Sequence, residues 1–199
     1  MLWNRWTMKA SGLDGFTVEF YQQNWEIVGT EVCATILKFF NCAKMEESVN
    51  STNIVLIPKS KHPSTVSEFQ PISFCTIFYK LISNVLANWL KNVLPHIISC
   101  NQSAFIPGQL ISNNILVAYK TLHTMHTCMW SKVGYLGIKL DMSKAYDRVE
   151  WSFLEAVMFK LGFDLRWIML NMECVTTVRY AVVVNGSAAR NIVPTRGIR

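Results

Sequence analysis

Several chemistries are missing from this chain before any element is assigned. The six cysteines, Cys33, Cys42, Cys75, Cys100, Cys128 and Cys174, are widely scattered, with no CxxC pair and no Cys/His cluster. That spacing argues against structural zinc. No GxGxxG loop, P-loop or serine nucleophile elbow occurs, which removes the common dinucleotide, P-loop and hydrolase readings. The most apolar long window, Ile72 to Leu90, is interrupted by Lys80, Ser83, Asn84 and Asn88, so no ordinary transmembrane helix is expected and no membrane partner. Acidic residues are scarce, 13 against 19 Lys and Arg, and only four are aspartates: Asp14, Asp141, Asp147 and Asp164. There is no internal repeat, no low-complexity linker and no convincing signal peptide. A reducing intracellular compartment, nuclear or cytoplasmic, is the expectation that follows.

What remains is a basic, apolar-rich chain. The net charge of +6 and pI near 9.1 suit a polyanionic partner such as nucleic acid, although ordinary surface charge accounts for them equally well. The hydrophobic fraction of 51% is ample for a core, and the mean hydropathy of +0.22 is high for a stand-alone domain. A well-filled interior explains it; so does apolar surface that further chain covers.

Helical periodicity predicts helices over about Trp25–Asn41, Thr76–Val93, Ser112–Thr127 and Asp164–Thr176. The second carries a continuous stripe from Ile77 to Leu90 and is expected to end before Pro95. The third places Ile115, Tyr119, Leu122 and His126 on one side. Asn53–Ile57 is a short β-rich run stopped by Pro58, followed by a loop with Lys59, Lys61, His62 and Pro63. Pro107-Gly108 marks a turn. Arg179–Val184 reads as a strand and Asn185-Gly186 as a hairpin turn. Helices mixed with separated strands predict an α+β fold. His123 and His126 lie three apart on a helix, but no third metal ligand accompanies them.

The stretch Gly134–Trp151 is the most informative. Leu136, Ile138 and Leu140 alternate with Gly137, Lys139 and Asp141, predicting a half-buried strand that ends on a carboxylate. Val149, Phe153, Leu154, Val157, Met158 and Leu161 then recur at helical spacing, with Asp147 expected at the helix start, where an acid favours the dipole. An acid at a strand mouth beside a glycine suits a metal-dependent site; a strand-end Asp capping the next turn would look the same.

This stretch resembles motif A of reverse transcriptases, in the form carried by plant non-LTR (LINE-type) retrotransposons. Five further blocks are similar to that family and in its order: Lys9-Ala-Ser-Gly-Leu-Asp-Gly15, Leu56-Ile-Pro-Lys59, Phe69-Gln-Pro-Ile-Ser73, Asn101-Gln-Ser-Ala-Phe-Ile-Pro-Gly108 and Pro194-Thr-Arg-Gly-Ile-Arg199. The resemblance covers the chain from about Lys9 onward. A group II intron maturase is a related alternative that the wording of the Asn101 and Asp141 blocks disfavours.

The resemblance implies a right-hand polymerase with fingers and a first palm helix over 9–129, a partial palm over 130–199 and no thumb; residues 1–8 stay unplaced. It implies RNA-directed DNA polymerisation on an RNA template and DNA primer with dNTPs, by two Mg²⁺ ions about 3.5–4 Å apart. Asp141, with the Met142 carbonyl, would be the catalytic metal ligand. Tyr146 falls at the sugar gate that excludes a ribose 2′-hydroxyl. Lys59 falls where the family reaches the triphosphate or template. Position 70 is Gln70 where Arg is usual, and Gln supplies neither the charge nor the guanidinium fork.

Other departures are Ser11 and Leu13 in place of prolines, Gln109 in place of Arg and Asn113 in place of Asp. Arg196-Gly-Ile-Arg199 resembles the opening of motif B, and the later Ala-Asp-Asp turn is not among these residues. One carboxylate and one carbonyl would hold Mg²⁺ weakly and would not place two ions. The expectation is a chain inactive by itself. The alternative is a non-catalytic basic module that holds RNA or DNA.

Overall fold

A computed structural model describes residues 15–99, 101, 102, 104, 106, 108–127 and 136–198. Lys9–Asp14, Pro107, Gly134 and Tyr135, which the sequence singles out, lie outside these residues. The chain divides into two compact units, one running up to Leu86 and resuming at Ala145, the other spanning Ala87–Lys144.

In the first unit, α1 (Val18–Gln23) is opened by Thr17, whose hydroxyl accepts from the Phe20 amide at 3.2 Å. α2 (Trp25–Cys42) ends in the left-handed Ala43. The Arg166 guanidinium donates to the Phe40 and Asn41 carbonyls there, satisfying acceptors that a helix end leaves open. β1 (Ser51–Pro58), β2 (Phe69–Cys75), β3 (Arg179–Val184) and β4 (Ser187–Ile192) form one sheet in the order β2-β1-β3-β4. β1 pairs antiparallel with β2 and parallel with β3; β3 and β4 make an antiparallel hairpin. Its turn is Asn185-Gly186, both left-handed at φ 52° and 80°, as the sequence predicts.

Two apolar clusters hold this unit. Val18, Tyr21, Val32, Ile77 and Leu81 join α1, α2 and the start of α3 (Ile77–Ile97). Phe39, Ile82, Leu86, Leu170 and Cys174 join α2, α3 and α6 (Leu165–Thr176). Cys174 packs there as the small hydrophobe expected of a reduced thiol. The sheet is tied in at its buried end by polar groups. Thr76 starts α3, accepting from the Tyr79 amide and donating to the Val49 carbonyl at 2.6 Å. Asp164 caps α6 through the Arg166 amide at 2.8 Å.

The second unit contains the rest of α3 and α4 (Ile111–Thr127). The stripe Ile115, Tyr119 and Leu122 on α4 is exposed rather than covered. Tyr119 stacks on His123 with ring centroids 6.1 Å apart.

The mixture of helix and sheet agrees with the α+β expectation, and most boundaries lie within a few residues of those read from the sequence. Three expectations fail. Helix α3 runs through Pro95 to Ile97. Proline removes only its own amide bond, here to the Lys91 carbonyl one turn from the end, and Ile98 N still reaches Leu94 O at 3.0 Å. The predicted strand ending at Asp141 does not form over its described part, 136–141, and Leu136, Ile138 and Leu140 are 84%, 72% and 87% exposed. Alternation selects a face, but a strand needs a neighbour for its amides and carbonyls, and none pairs with this segment among the described residues. Asp147 does not start the long helix. It lies in a separate 3₁₀ turn, Tyr146–Arg148, and α5 (Trp151–Lys160) begins after the extended Val149. The Tyr146 and Val149 carbonyls accept from Ile198 and Gly197, so they are not available to continue one helix through the junction.

Candidate nucleotide and nucleic-acid site

Lys59 immediately follows β1, and its amide donates to the Glu68 carbonyl at 2.8 Å, closing the loop to β2. Inside the loop, Glu68 accepts from the Ser64 amide at 2.6 Å, and the Thr65 and Ser67 hydroxyls lie 2.9 Å apart. The Lys59 ammonium rests 3.2 Å from the Ser67 carbonyl and is exposed, as are Lys61 and His62. A carbonyl partner brings no opposing charge to the ammonium, which an anion can still supply.

The register places Ile57 opposite Gln70. By the period of two, Val55, Ile57, Gln70 and Ile72 share one sheet face, and Lys59 continues that row. Lys59 and Gln70, both singled out from sequence, therefore fall on one row of the sheet. Gln70 is exposed there, and its side chain brings no cation to the row.

Tyr146 opens the 3₁₀ turn and is 57% exposed. Its carbonyl accepts from the Ile198 amide at 2.9 Å. Sequence reasoning missed the partners of this turn: Trp151 donates through Nε1 to the Gly197 carbonyl at 2.8 Å, and Arg196 pairs with Glu150 at 3.4 Å. The only hint in the sequence was a glycine within Arg196-Gly-Ile, and nothing there names its partner.

Asp141 and Met142 lie in the second unit, in non-sheet backbone, with Met142 65% exposed. Asp141 is exposed and does not stand at a strand end, which corrects the placement read from the alternation.

These blocks acquire a common origin from comparison with known proteins. Residues 57–199 match the family described as reverse transcriptase (RNA-dependent DNA polymerase). The chain belongs to the reverse transcriptase family. It is also 25% identical over 191 residues to the "Transposon TX1 uncharacterized 149 kDa protein" of Xenopus laevis, an alignment covering 96% of this chain. The chain spans 14% of that relative's length.

Reverse transcriptases generally use a divalent metal. Among the described residues no three His, Cys, Asp or Glu side chains are grouped to hold one. Asp141 with a backbone carbonyl is too small a donor set for a two-ion centre, so the side chains described here do not fit that group. Among the same residues, no helix is long and apolar enough to cross a membrane.

Proposed function

We propose that this chain is the fingers and partial-palm portion of a LINE-type, non-LTR retrotransposon reverse transcriptase of the plant kind, with fingers over 9–129 and palm from 130. The observation that carries the reading is the family match over residues 57–199. The relative's transposon origin supports the element class.

In this reading the β1–β2 loop offers Lys59 and Lys61 to the phosphates of the template or incoming nucleotide. Its backbone is closed by the Lys59–Glu68 bond, so the cations are presented on an ordered loop. Tyr146 is the sugar gate. Asp141 and the Met142 carbonyl are what these residues contribute to a Mg²⁺ centre whose other ligands come from elsewhere. RNA template, DNA primer and dNTPs are the partners of the intact polymerase.

These 199 residues are proposed not to polymerise by themselves, because one carboxylate does not assemble two ions. Primer extension by the purified chain tests this. No incorporation is expected; incorporation that disappears in Asp141→Asn would overturn it.

The second reading is a non-catalytic RNA- or DNA-binding module, favoured by the +6 charge and the exposed Lys59, Lys61 and His62. Salt-sensitive binding without turnover supports it. Affinity for a neutral polymer equal to that for RNA excludes it.

A further inference from the structure

We propose that segment 196–198 is a clasp that positions Tyr146, with Gly197 as its positioning residue. The proposal deepens the sugar-gate reading of Tyr146 and rests on it. Four contacts close the clasp. Gly197 N donates to Val149 O at 2.7 Å and Ile198 N donates to Tyr146 O at 2.9 Å. Trp151 Nε1 donates to Gly197 O at 2.8 Å, and Arg196 pairs with Glu150 across 3.4 Å. The bonds bracket the 3₁₀ turn: one grips the turn residue that carries the exposed ring, one grips the residue just after the turn, and one comes from the first residue of α5.

The centre favours glycine. Gly197 has φ +90°, outside the range that side-chain-bearing residues adopt without strain. A Cβ there would meet the backbone of Asp147, at 3.2 Å from its carbonyl oxygen and 3.3 Å from its Cα. The obstructing atoms are main chain of the very turn that carries Tyr146. A larger residue must therefore push that turn by a few tenths of an ångström, on top of its strained φ, or loosen the clasp. A short turn of three residues has little stability of its own, so the conformation of Tyr146 is set from outside, by 196–198. The clasp makes the presentation of the ring depend on a segment about fifty residues further along the chain.

The test uses the chain labelled with 3-fluorotyrosine and read by ¹⁹F resonance, the Tyr146 signal being assigned by its loss in Tyr146→Phe. Gly197→Ala is expected to displace that signal and to speed amide exchange at 145–149 by about ten-fold. Trp151→Phe, which keeps an aromatic side chain but deletes the indole N–H and its bond, is the milder variant and is expected to shift the signal in the same direction. A core variant, Leu170→Ala, is expected to lower global stability and leave the signal in place. An unmoved Tyr146 signal in folded Gly197→Ala or Trp151→Phe overturns the clasp, as does an equal displacement in Leu170→Ala. Titration of the labelled chain with dATP and ATP addresses the other half. Equal response of the Tyr146 signal to both nucleotides overturns the sugar gate and leaves the clasp standing.

Discussion

Asn50 donates through Nδ2 to the carbonyl of Cys174 across 3.0 Å, in the interior of the first unit. The same nitrogen donates to the Thr177 hydroxyl at 2.8 Å, and that hydroxyl donates onward to the Glu173 carbonyl at 2.6 Å. The Asn50 carbonyl accepts from the Arg179 amide. The buried Asn50 side-chain amide thus ties the start of β1 to the end of α6, while the backbone carbonyl of the same residue meets the start of β3, beside the parallel pairing of β1 on β3. Asn50→Ala removes both donors and leaves the last turn of α6 unsatisfied away from water. A loss of about 2–4 kcal/mol in unfolding free energy is expected. Asn50→Asp, which keeps the volume but cannot donate when ionised, is expected to be at least as harmful. Urea denaturation followed by circular dichroism checks both; a midpoint unchanged in Asn50→Ala would show that the amide does not tie these elements.

The basic loop makes a different prediction, about salt rather than stability. If Lys59 and Lys61 each neutralise a phosphate of a single strand, each Lys→Ala change should lower the slope of log affinity against log salt by about 0.7. The affinity at low salt should fall in both variants. Lys59→Arg should keep the slope, since the charge is retained. Fluorescence anisotropy with a labelled single-stranded RNA over a salt series measures it. Identical slopes for wild type and the double Ala variant would remove the loop from the binding surface.

The helices were legible because their apolar stripes are local: Trp25–Cys42 and Leu165–Thr176 differ by a residue from the periods read in the sequence. The β3–β4 turn was legible because Asn185-Gly186 carries its own left-handed geometry. The pairings were not. β2 contains Pro71 and β4 reads Ser-Ala-Ala-Arg-Asn-Ile, neither a strong strand sequence, and both form because a neighbour accepts their backbone bonds. The converse is the segment ending at Asp141, whose alternation is clear and whose partner is missing among the described residues. The shared face of Gln70 and Lys59 was hidden for the same reason, since only the register discloses it. The contact of Gly197 with the turn of Tyr146 couples residues about fifty positions apart, and no local pattern encodes it.

Asp141 gives a third expectation. Its side chain is exposed in backbone without helix or strand, so Asp141→Asn should change unfolding free energy by no more than about 0.5 kcal/mol. Mg²⁺ prefers six oxygen ligands in near-octahedral geometry, and one carboxylate with one carbonyl supplies a third of them. Calorimetric titration of the chain with Mg²⁺ is expected to give no saturable heat at sub-millimolar metal, in wild type or variant alike. Saturable binding lost in Asp141→Asn would mean that a further ligand completes the site.

Gln70 offers a test in the direction of gain. It is exposed on the sheet face that it shares with Ile57 and Ile72, in the row that Lys59 continues. Gln70→Arg adds a guanidinium there, with donors arranged to bind two phosphate oxygens at once. A charge-assisted bond contributes about 1.5–3 kcal/mol, and exposure on an open face holds the gain to the lower end. Triphosphate binding is therefore expected to tighten by roughly ten-fold. The added arginine must also avoid spoiling the fold, and Gln70 pairs through its backbone, so the strand register should survive the change. Gln70→Glu, of the same shape and opposite charge, is expected to weaken binding. Competition of labelled dATP from the two variants measures both directions. Equal affinity in Gln70→Arg, Gln70→Glu and wild type would place the triphosphate away from this face and leave Lys59 without a nucleotide role.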